Sequence, residues 1–401
     1  MERDFAALSL VERLTSAGHQ ALYAGGFVRD LLLGHHPADI DIATSCPAEE
    51  LATLFPKTIP VGIQFGSVIV PVESHQFEVT TFRKEGPYLD GRRPSTVEAS
   101  SAEEDAKRRS FTINGMFYDP LKDEILDYVG GQADLKKGII RAIGDPMERF
   151  AEDKLRMIRA VRFATRFDFA IEPKTQAGIQ ATVDELYPAV AVERIWQEFN
   201  KMQGPAHFGR FVTELYHYGL LQIIFPEAHT EEIDERVATL VELPEESPTI
   251  ALLMQLFPES PLSERLAICD ELKVSNRDKK LVERLTQCEE LLERGSRVDW
   301  IRFYADPLSE LCLKIVAARL DPEERGPFFA HHLRARYGAL RHIERLERRT
   351  PLVTSDHLKE RGIQPGPEMG KLLAQAEELA IREDLHHPSE VLDRITARGR
   401  P

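Results

Sequence analysis

The chain has 401 residues, with 51 Lys+Arg against 66 Asp+Glu, a formal charge of −15, and 42% hydrophobic residues. That length predicts about two to four domains, and the composition excludes a collagen-like, disordered or disulfide-rich chain. No apolar run approaches the ~20 residues needed to span a bilayer, the first fifteen residues are amphipathic rather than a signal peptide, and any RNA partner must be held by local basic patches against an acidic background.

In chain order, LYAGGFVRDLLLG reads as a strand end, a glycine turn and a helix start, and ADIDIAT reads as a strand. Residues 67–82 read as a hairpin with its turn at Glu73-Ser74-His75-Gln76, and MFYDP with EILDYVGG form another strand pair. From about residue 140 helical patterns take over, as in 154–167, 193–202, 277–295 and 370–383. The expected fold class is α+β: a mixed α/β head over residues 1–140, then an all-helical neck (141–205), body (206–340) and tail (341–401). Cys46, Cys269, Cys288 and Cys312 are scattered and form no CxxC pair, which suits a reducing cytosol.

The chemistry concentrates in GGFVRDLLLGHHPADIDIAT (25–44). Gly25-Gly26 at a strand-to-helix turn lets backbone approach a ligand, the helix start offers free N–H groups to phosphate, and Arg29 adds fixed positive charge. Asp39 and Asp41 are two apart, so on a strand both carboxylates share a face and repel unless a cation sits between them. Hard divalent ions with oxygen ligands, mainly Mg²⁺, meet that demand. A phosphate cradle and a metal pair within twenty residues describe phosphoryl transfer from a nucleotide. Singly, a GG turn is usually structural and a DxD usually a solvated strand face; their order and spacing are the specific signal.

With these residues the chain resembles the nucleotidyltransferase superfamily with a polymerase-beta-like head, and in particular the family of class II CCA tRNA nucleotidyltransferases and bacterial poly(A) polymerases. Further matches follow in family order: EVTTFRKEGPYLDGRRPSTV (78–97), DAKRRSFTINGM (105–116), DYVGGQADL (127–135), AEDKLRMIRAVRFA (151–164) and ERIWQE (193–198), with a weaker one at 358–373. Ser110 departs from the pattern, standing where the family usually has Asp. The resemblance implies a template-free enzyme that adds C, C and A to the tRNA 3′ end from CTP and ATP, in the cytoplasm, with Asp39 and Asp41 as catalytic metal ligands. It places Arg109 near the nucleotide. Residues 84–107, with Gly86, Pro87, Gly91, Pro94 and charges of mixed sign, cannot bury an apolar face and are expected to be a mobile surface loop, to which the resemblance gives the role of resetting the pocket between CTP and ATP.

It also gives Asp153 and Arg156 the role of reading the base, and the chemistry supports this. Read as a helix, the segment puts them at i and i+3 on one face. Arg is a fixed donor fork and Asp a fixed acceptor, so the pair matches the amino-bearing edges of cytosine and adenine and mismatches uracil and guanine. Arg159 and Arg162 continue the i, i+3 ladder toward triphosphate or base, and Glu152 would hold Arg156. Alone, the segment reads rather as an ordinary amphipathic helix with salt bridges, and only after the head motifs does the base-reading role prevail. Asn114 is expected to tie loop to strand, Glu78 is a candidate third carboxylate, and Glu193, Arg194 and Glu198 read as structural i, i+4 partners.

Farther on, RARYGALRHIERLERR (334–349) carries Arg334, Arg336, Arg341, Arg345, Arg348 and Arg349 against Glu344 and Glu347, which reads either as a tRNA phosphate track or as a solvated face. His331-His332 and His386-His387 read as isolated pairs without acidic partners at ligand spacing, and no His-Asp dipeptide occurs. Three alternatives stay open. A poly(A) polymerase is disfavoured because 56–70, PKTIPVGIQFGSVIV, lacks an Arg cluster. A CC-adder is disfavoured by the full-length loop, whereas an A-adder is not. A non-catalytic RNA-binding relative should have lost a DxD carboxylate, and both remain.

Overall fold

The computed structural model describes residues 2–37, 39–60, 66–86, 88, 94–226, 233–258 and 260–398, with side chains described as far as 395. The chain divides into two compact units, one of residues 1–202 with 210–231, the other of 203–209 with 232–401.

The first unit opens with helix α1 (Glu2–Ser16), strand β1 (Ala21–Ala24), helix α2 (Gly26–Leu32), strand β2 (Asp41–Thr44) and helix α3 (Ala48–Leu54). A hairpin of β3 (Ser67–Val72) and β4 (His75–Thr81) follows, then the short strands β5 (Arg83–Glu85) and β6 (Val97–Ala99) and helix α4 (Ala102–Lys107). Strands β7 (Met116–Asp119) and β8 (Glu124–Asp127) and helix α5 (Gly131–Lys137) complete the head. The main sheet runs β3-β4-β2-β1-β7-β8. Within it β2 lies parallel to β4, and every other neighbouring pair is antiparallel.

Period-2 alternation assigns the two sheet faces. Tyr23, Ile42, Phe77 and Val79 join α1 residues Leu10, Val11 and Leu14 in one core. Leu22, Ala24, Ala43, Phe82 and Phe117 pack with Ala102 and Ala106 of α4 on the opposite face. Asp41 lies two before Ala43 and Glu78 two before Thr80, so both belong to that second face. Val72 pairs with His75, so the hairpin turns on Glu73-Ser74 alone, with Glu73 at φ 54, rather than on the four residues the sequence suggested.

Residues 84–107, expected as one mobile loop, are largely built in. β5 pairs with β6, α4 follows, and the Glu85 side chain is only 6% exposed. The missing apolar face is replaced by ionic packing, since Glu85 accepts from Arg83 (2.9 Å), Arg108 (3.2 Å) and Tyr88. Residues 87 and 89–93, the loop's centre, lie outside the described residues.

The helices α6 (Pro146–Glu152), α7 (Leu155–Phe167), α8 (Pro173–Thr182) and α9 (Val192–Asn200) follow the head within the same unit. Asp153 separates α6 from α7, with φ −151 and ψ 103, and its carboxylate accepts the Leu155 N–H at 3.1 Å. An Asp at this point offers the backbone a local acceptor in place of a continued helix.

The described elements of the second unit are helical. Ser275 caps the helix Asn276–Arg294, and Ser296 with Asp299 forms a capping box on Arg297–Tyr304. The arginine-rich 334–349 segment breaks at Ala339 between helices Pro322–Gly338 and Leu340–Arg348. A separate core of Val353, Leu358, Met369, Ala376, Leu379, Val391 and Leu392 gathers the last helices.

Candidate active site

Strand register builds the site. Because β1 pairs with β2 as Ala24↔Asp41, the Gly25-Gly26 turn emerges beside Asp41. Because β2 runs parallel to β4 with Ile42↔Val79, Glu78 lies next to Asp41. The result is a cavity of about 470 Å³ lined by Gly25, Gly26, Arg29, Asp41, Glu78 and Arg109 of the head and by Asp153, Arg156 and Arg159 of the helices that follow it. Asp39 lies just before β2 and lines an adjoining cavity together with Asp41 and Glu78.

Partial removal from water, the nearby Glu78 and Asp39 push the Asp41 carboxyl up to about 6, against the pull of Arg109. Asp39, Asp41 and Glu78 crowd together, and their donor set is all oxygen. That fits a hard divalent cation.

Gly25 sits at φ 66 and ψ −120, and a Cβ there would meet Arg109 Nη1 at 3.0 Å. Only glycine therefore lets the turn and Arg109 share this corner. Arg109 is fixed by two bonds to Asp105, at 2.9 and 3.0 Å, and lies over Phe117 at 4.8 Å. Asp105 is 1% exposed and also holds Arg108 at 2.6 Å. Arg29 is buried, donates to Asn114 Oδ1 at 2.6 Å and to Asp30 at 2.8 Å, and lies over Phe167 at 4.6 Å. Asn114 thus ties the 3₁₀ turn Thr112–Asn114 to α2.

On the helical side the sequence reading needs two corrections. Asp153 and Arg156 do not share a helix face, because Asp153 is the non-helical residue between α6 and α7. They meet at the cavity because the chain break aims both there. Asp153 receives a bidentate pair from Arg194, at 2.7 and 3.1 Å, and Arg156 Nη1 donates to Glu152 at 2.6 Å and to Arg149 O at 3.0 Å. Arg162 does not reach the cavity. It is buried, bonds Glu198 at 2.5 Å and stacks on Phe163 at 4.1 Å. Each i, i+3 step turns about 60° around a helix axis, so a ladder that starts in a pocket leaves it within two steps. Arg159 stays on the cavity, and its Nε is buried without a hydrogen-bond partner.

Arg194 and Glu198 are therefore cross-element partners of Asp153 and Arg162, not mutual i, i+4 pairs. Sequence reasoning also missed Asp105, Glu85 and Tyr88 as builders of the cavity wall. The Asp105-x3-Arg109 spacing, one helical turn, was the available signal for the first. Elsewhere, His386 proves not to be isolated: Asp384 lies 3.8 Å away, and His342 stacks against it at 4.8 Å.

Residues 21–141 match the family model described as Poly A polymerase head domain, and 168–231 match the model described as Probable RNA and SrmB-binding site of polymerase A. The CCA-adding enzyme of Streptococcus mutans is 33% identical over 96% of this chain and 95% of its own length. That of Lactobacillus helveticus is 34% identical over 97% and 95%. Among solved structures, the Bacillus stearothermophilus CCA-adding enzyme in complex with CTP matches with a TM-score of 0.78 at 26% identity, covering 98% of both chains. The Thermotoga maritima CCA-adding enzyme complexed with tRNA shares the fold, with a TM-score of 0.65 at 23% identity. No helix among the described residues is long and apolar enough to cross a membrane. The polymerase-beta-like head, the glycine turn beside its carboxylates and full-length relatedness agree, and the chain belongs to the CCA-adding enzymes, nucleotidyltransferases that generally use a divalent metal.

Proposed function

We propose that this enzyme adds C, C and A to the tRNA 3′ end from CTP and ATP, and that Asp39, Asp41 and Glu78 hold its metal, Mg²⁺. The observation that carries the site assignment is one cavity bounded by Asp41 and Glu78 on one side and by Asp153, Arg156 and Arg159 on the other. Bound there, the metal lowers the pKa of the attacking hydroxyl and offsets charge on the leaving group. The tRNA 3′-oxygen forms a bond to the α-phosphorus as the bond to pyrophosphate breaks, and the hydroxyl proton passes to water.

Around that step the protein positions and discriminates. The Gly25-Gly26 backbone and Arg109 receive the triphosphate, and Arg29 keeps the turn in place through Asn114. Asp153 accepts the amino group of cytosine or adenine with lone pairs left free by Arg194, while Arg156 donates through the nitrogens that Glu152 does not use. Arg159 adds positive charge to the cavity wall. Arg162 belongs to the supporting layer. The division into head (1–140), neck (141–205), body (206–340) and tail (341–401) is part of this reading, with the tail's basic residues on tRNA. The enzyme works in the cytoplasm, where its nucleotides and tRNA are, and the four free buried cysteines suit that compartment.

Purified protein incubated with tRNA ending at the discriminator base, with CTP, ATP or both, tests this at one-nucleotide resolution. The expected products are CC with CTP alone and CCA with both. Addition of A only to a CC end would make it an A-adder, and a long A tract would make it a poly(A) polymerase.

A further inference from the structure

At the other end of β2 from Asp41, the turn before β1, the turn after β2 and the start of helix α3 bring together three different metal-ligating side chains. His19 Nε2, Cys46 Sγ and a Glu50 carboxylate oxygen all lie within 4.8 Å of one another. His19 Nε2 and Glu50 Oε1 are 3.0 Å apart. Cys46 is fully buried, the His19 side chain is 16% exposed and that of Glu50 48% exposed, so the group has a closed end and an open one.

The frame is set before any ligand arrives. Ser45 N–H donates to Gln20 O at 2.9 Å, Thr44 Oγ1 to the same oxygen at 2.7 Å, and Gln20 N–H to Ser45 Oγ at 2.9 Å. Cys46 N–H donates to Thr44 Oγ1 at 3.1 Å, and Thr81 Oγ1 donates to Cys46 O at 2.8 Å. The residues next to His19 and around Cys46 are thus locked to each other by the β1–β2 register, which lowers the ordering cost of binding.

We propose that His19, Cys46 and Glu50 bind a borderline divalent transition metal, Zn²⁺ by the chemistry of the donors, with water completing the coordination. A mixed nitrogen, sulfur and oxygen set selects zinc over magnesium, which takes oxygen ligands. Thiolate and carboxylate together balance the metal's two charges, so the occupied site is neutral at its buried end. Burial and Glu50 push the Cys46 thiol up to about 11, so the metal-free protein carries the thiol form. As the metal–sulfur bond forms, the S–H bond breaks and its proton passes to bulk water. The site pins the turn before β1 to the turn after β2, and so braces the strand whose first residue is Asp41.

A second cluster, His342, Asp384 and His386, has similar spacing but the wrong surroundings. Arg297 Nη2 lies 2.7 Å from Asp384, and Arg345 Nη2 lies 2.9 Å from His342 Nδ1. A cation there would meet two guanidiniums already in place.

The test uses the full chain, stripped by chelator and titrated with Co²⁺ in excess Mg²⁺. The expected result is a sulfur-to-cobalt charge-transfer band that saturates at one equivalent and is erased by Zn²⁺. The carboxylates at Asp39, Asp41 and Glu78 hold no sulfur and cannot produce it. Cys46→Ser should lose the band, and His19→Gln and Glu50→Gln should each weaken cobalt binding at least about tenfold. Cys46 is buried, so if its variant fails to fold, the two partly exposed positions carry the test. Zn²⁺ should also raise the melting temperature of the wild type and not of the His19→Gln/Glu50→Gln double variant. Absence of the band at millimolar cobalt, or a band undiminished in the double variant, overturns the proposal.

Discussion

Asp41 is held where its ionisation is disfavoured, raised to about 6 by partial burial, Glu78 and Asp39. Groups kept at such a cost mark functional sites. Asp41→Ala or Asp39→Ala should reduce both C and A addition to background and leave tRNA binding largely intact, because RNA affinity comes mainly from phosphate contacts elsewhere. Near-wild-type turnover of either variant in Mg²⁺ would remove the metal assignment. Asp153→Ala should instead damage nucleotide choice. The lost acceptor is worth about 1–3 kcal/mol per base, so UTP and GTP should compete better, and Arg194→Ala should show part of the same loss because it fixes the Asp153 carboxylate. Competition assays with all four nucleotides decide between reading and mere structure. Asp105 has a different signature. Burial alone would raise its carboxyl, but Arg109 and Arg108 outweigh burial and hold it below the ordinary value of 3.8. Its stabilisation is therefore complete above that value and is lost as pH falls through the lowered one. Asp105→Asn should cost about 3 kcal/mol by leaving two guanidiniums short of a partner. That gap should stay constant between about pH 8 and pH 5 in urea melts and shrink only in stronger acid.

At the level of elements, the strand reading of ADIDIAT holds only from Asp41 on, since β2 begins there and Asp39 lies before it, and the helix reading of Asp153 fails because helix termination is a contest. The AEDKLRMIRAVRF pattern is periodic enough to suggest one helix, but an Asp side chain that captures the Leu155 N–H ends one helix and starts the next. The β5–β6 segment shows the converse. Its charges, which suggested a mobile loop, are consumed by Glu85, Arg83 and Arg108 pairing with one another. Deleting about ten residues around Asp90–Pro94, of which 90–93 lie outside the described residues, should leave CC addition nearly normal and strongly slow the terminal A. Loop shortening changes closure entropy by only about 1 kcal/mol, so the fold should hold. Product length on one tRNA reads the outcome, and equal loss of C and A addition would make the segment structural.

For the whole molecule, a net charge of −15 means that RNA affinity must be local and salt-sensitive. Arg341, Arg345 and Arg348 line one small cavity with His386 and His387, but Arg345 is already bonded to Glu377 at 2.8 Å. Arg341→Gln with Arg348→Gln should therefore weaken tRNA binding and lower the log K against log salt slope by about 1–2. The rate of addition at saturating tRNA should not change. An unaltered slope would return the segment to an ordinary solvated face.

The sequence alone was enough to establish the family, the glycine turn and the change from mixed to helical texture, because each depends on residues within one element or one turn. Tertiary structure decided which charges are free. Glu78 joins Asp41 only through the parallel β2–β4 register, Arg162 is spent on Glu198, Asp153 is aimed by Arg194 from 41 residues away, and His19 meets Cys46 across two turns. An ionisable side chain has the same letter whether it faces a pocket or a partner, and only the packing that removes water from one side of it chooses between them.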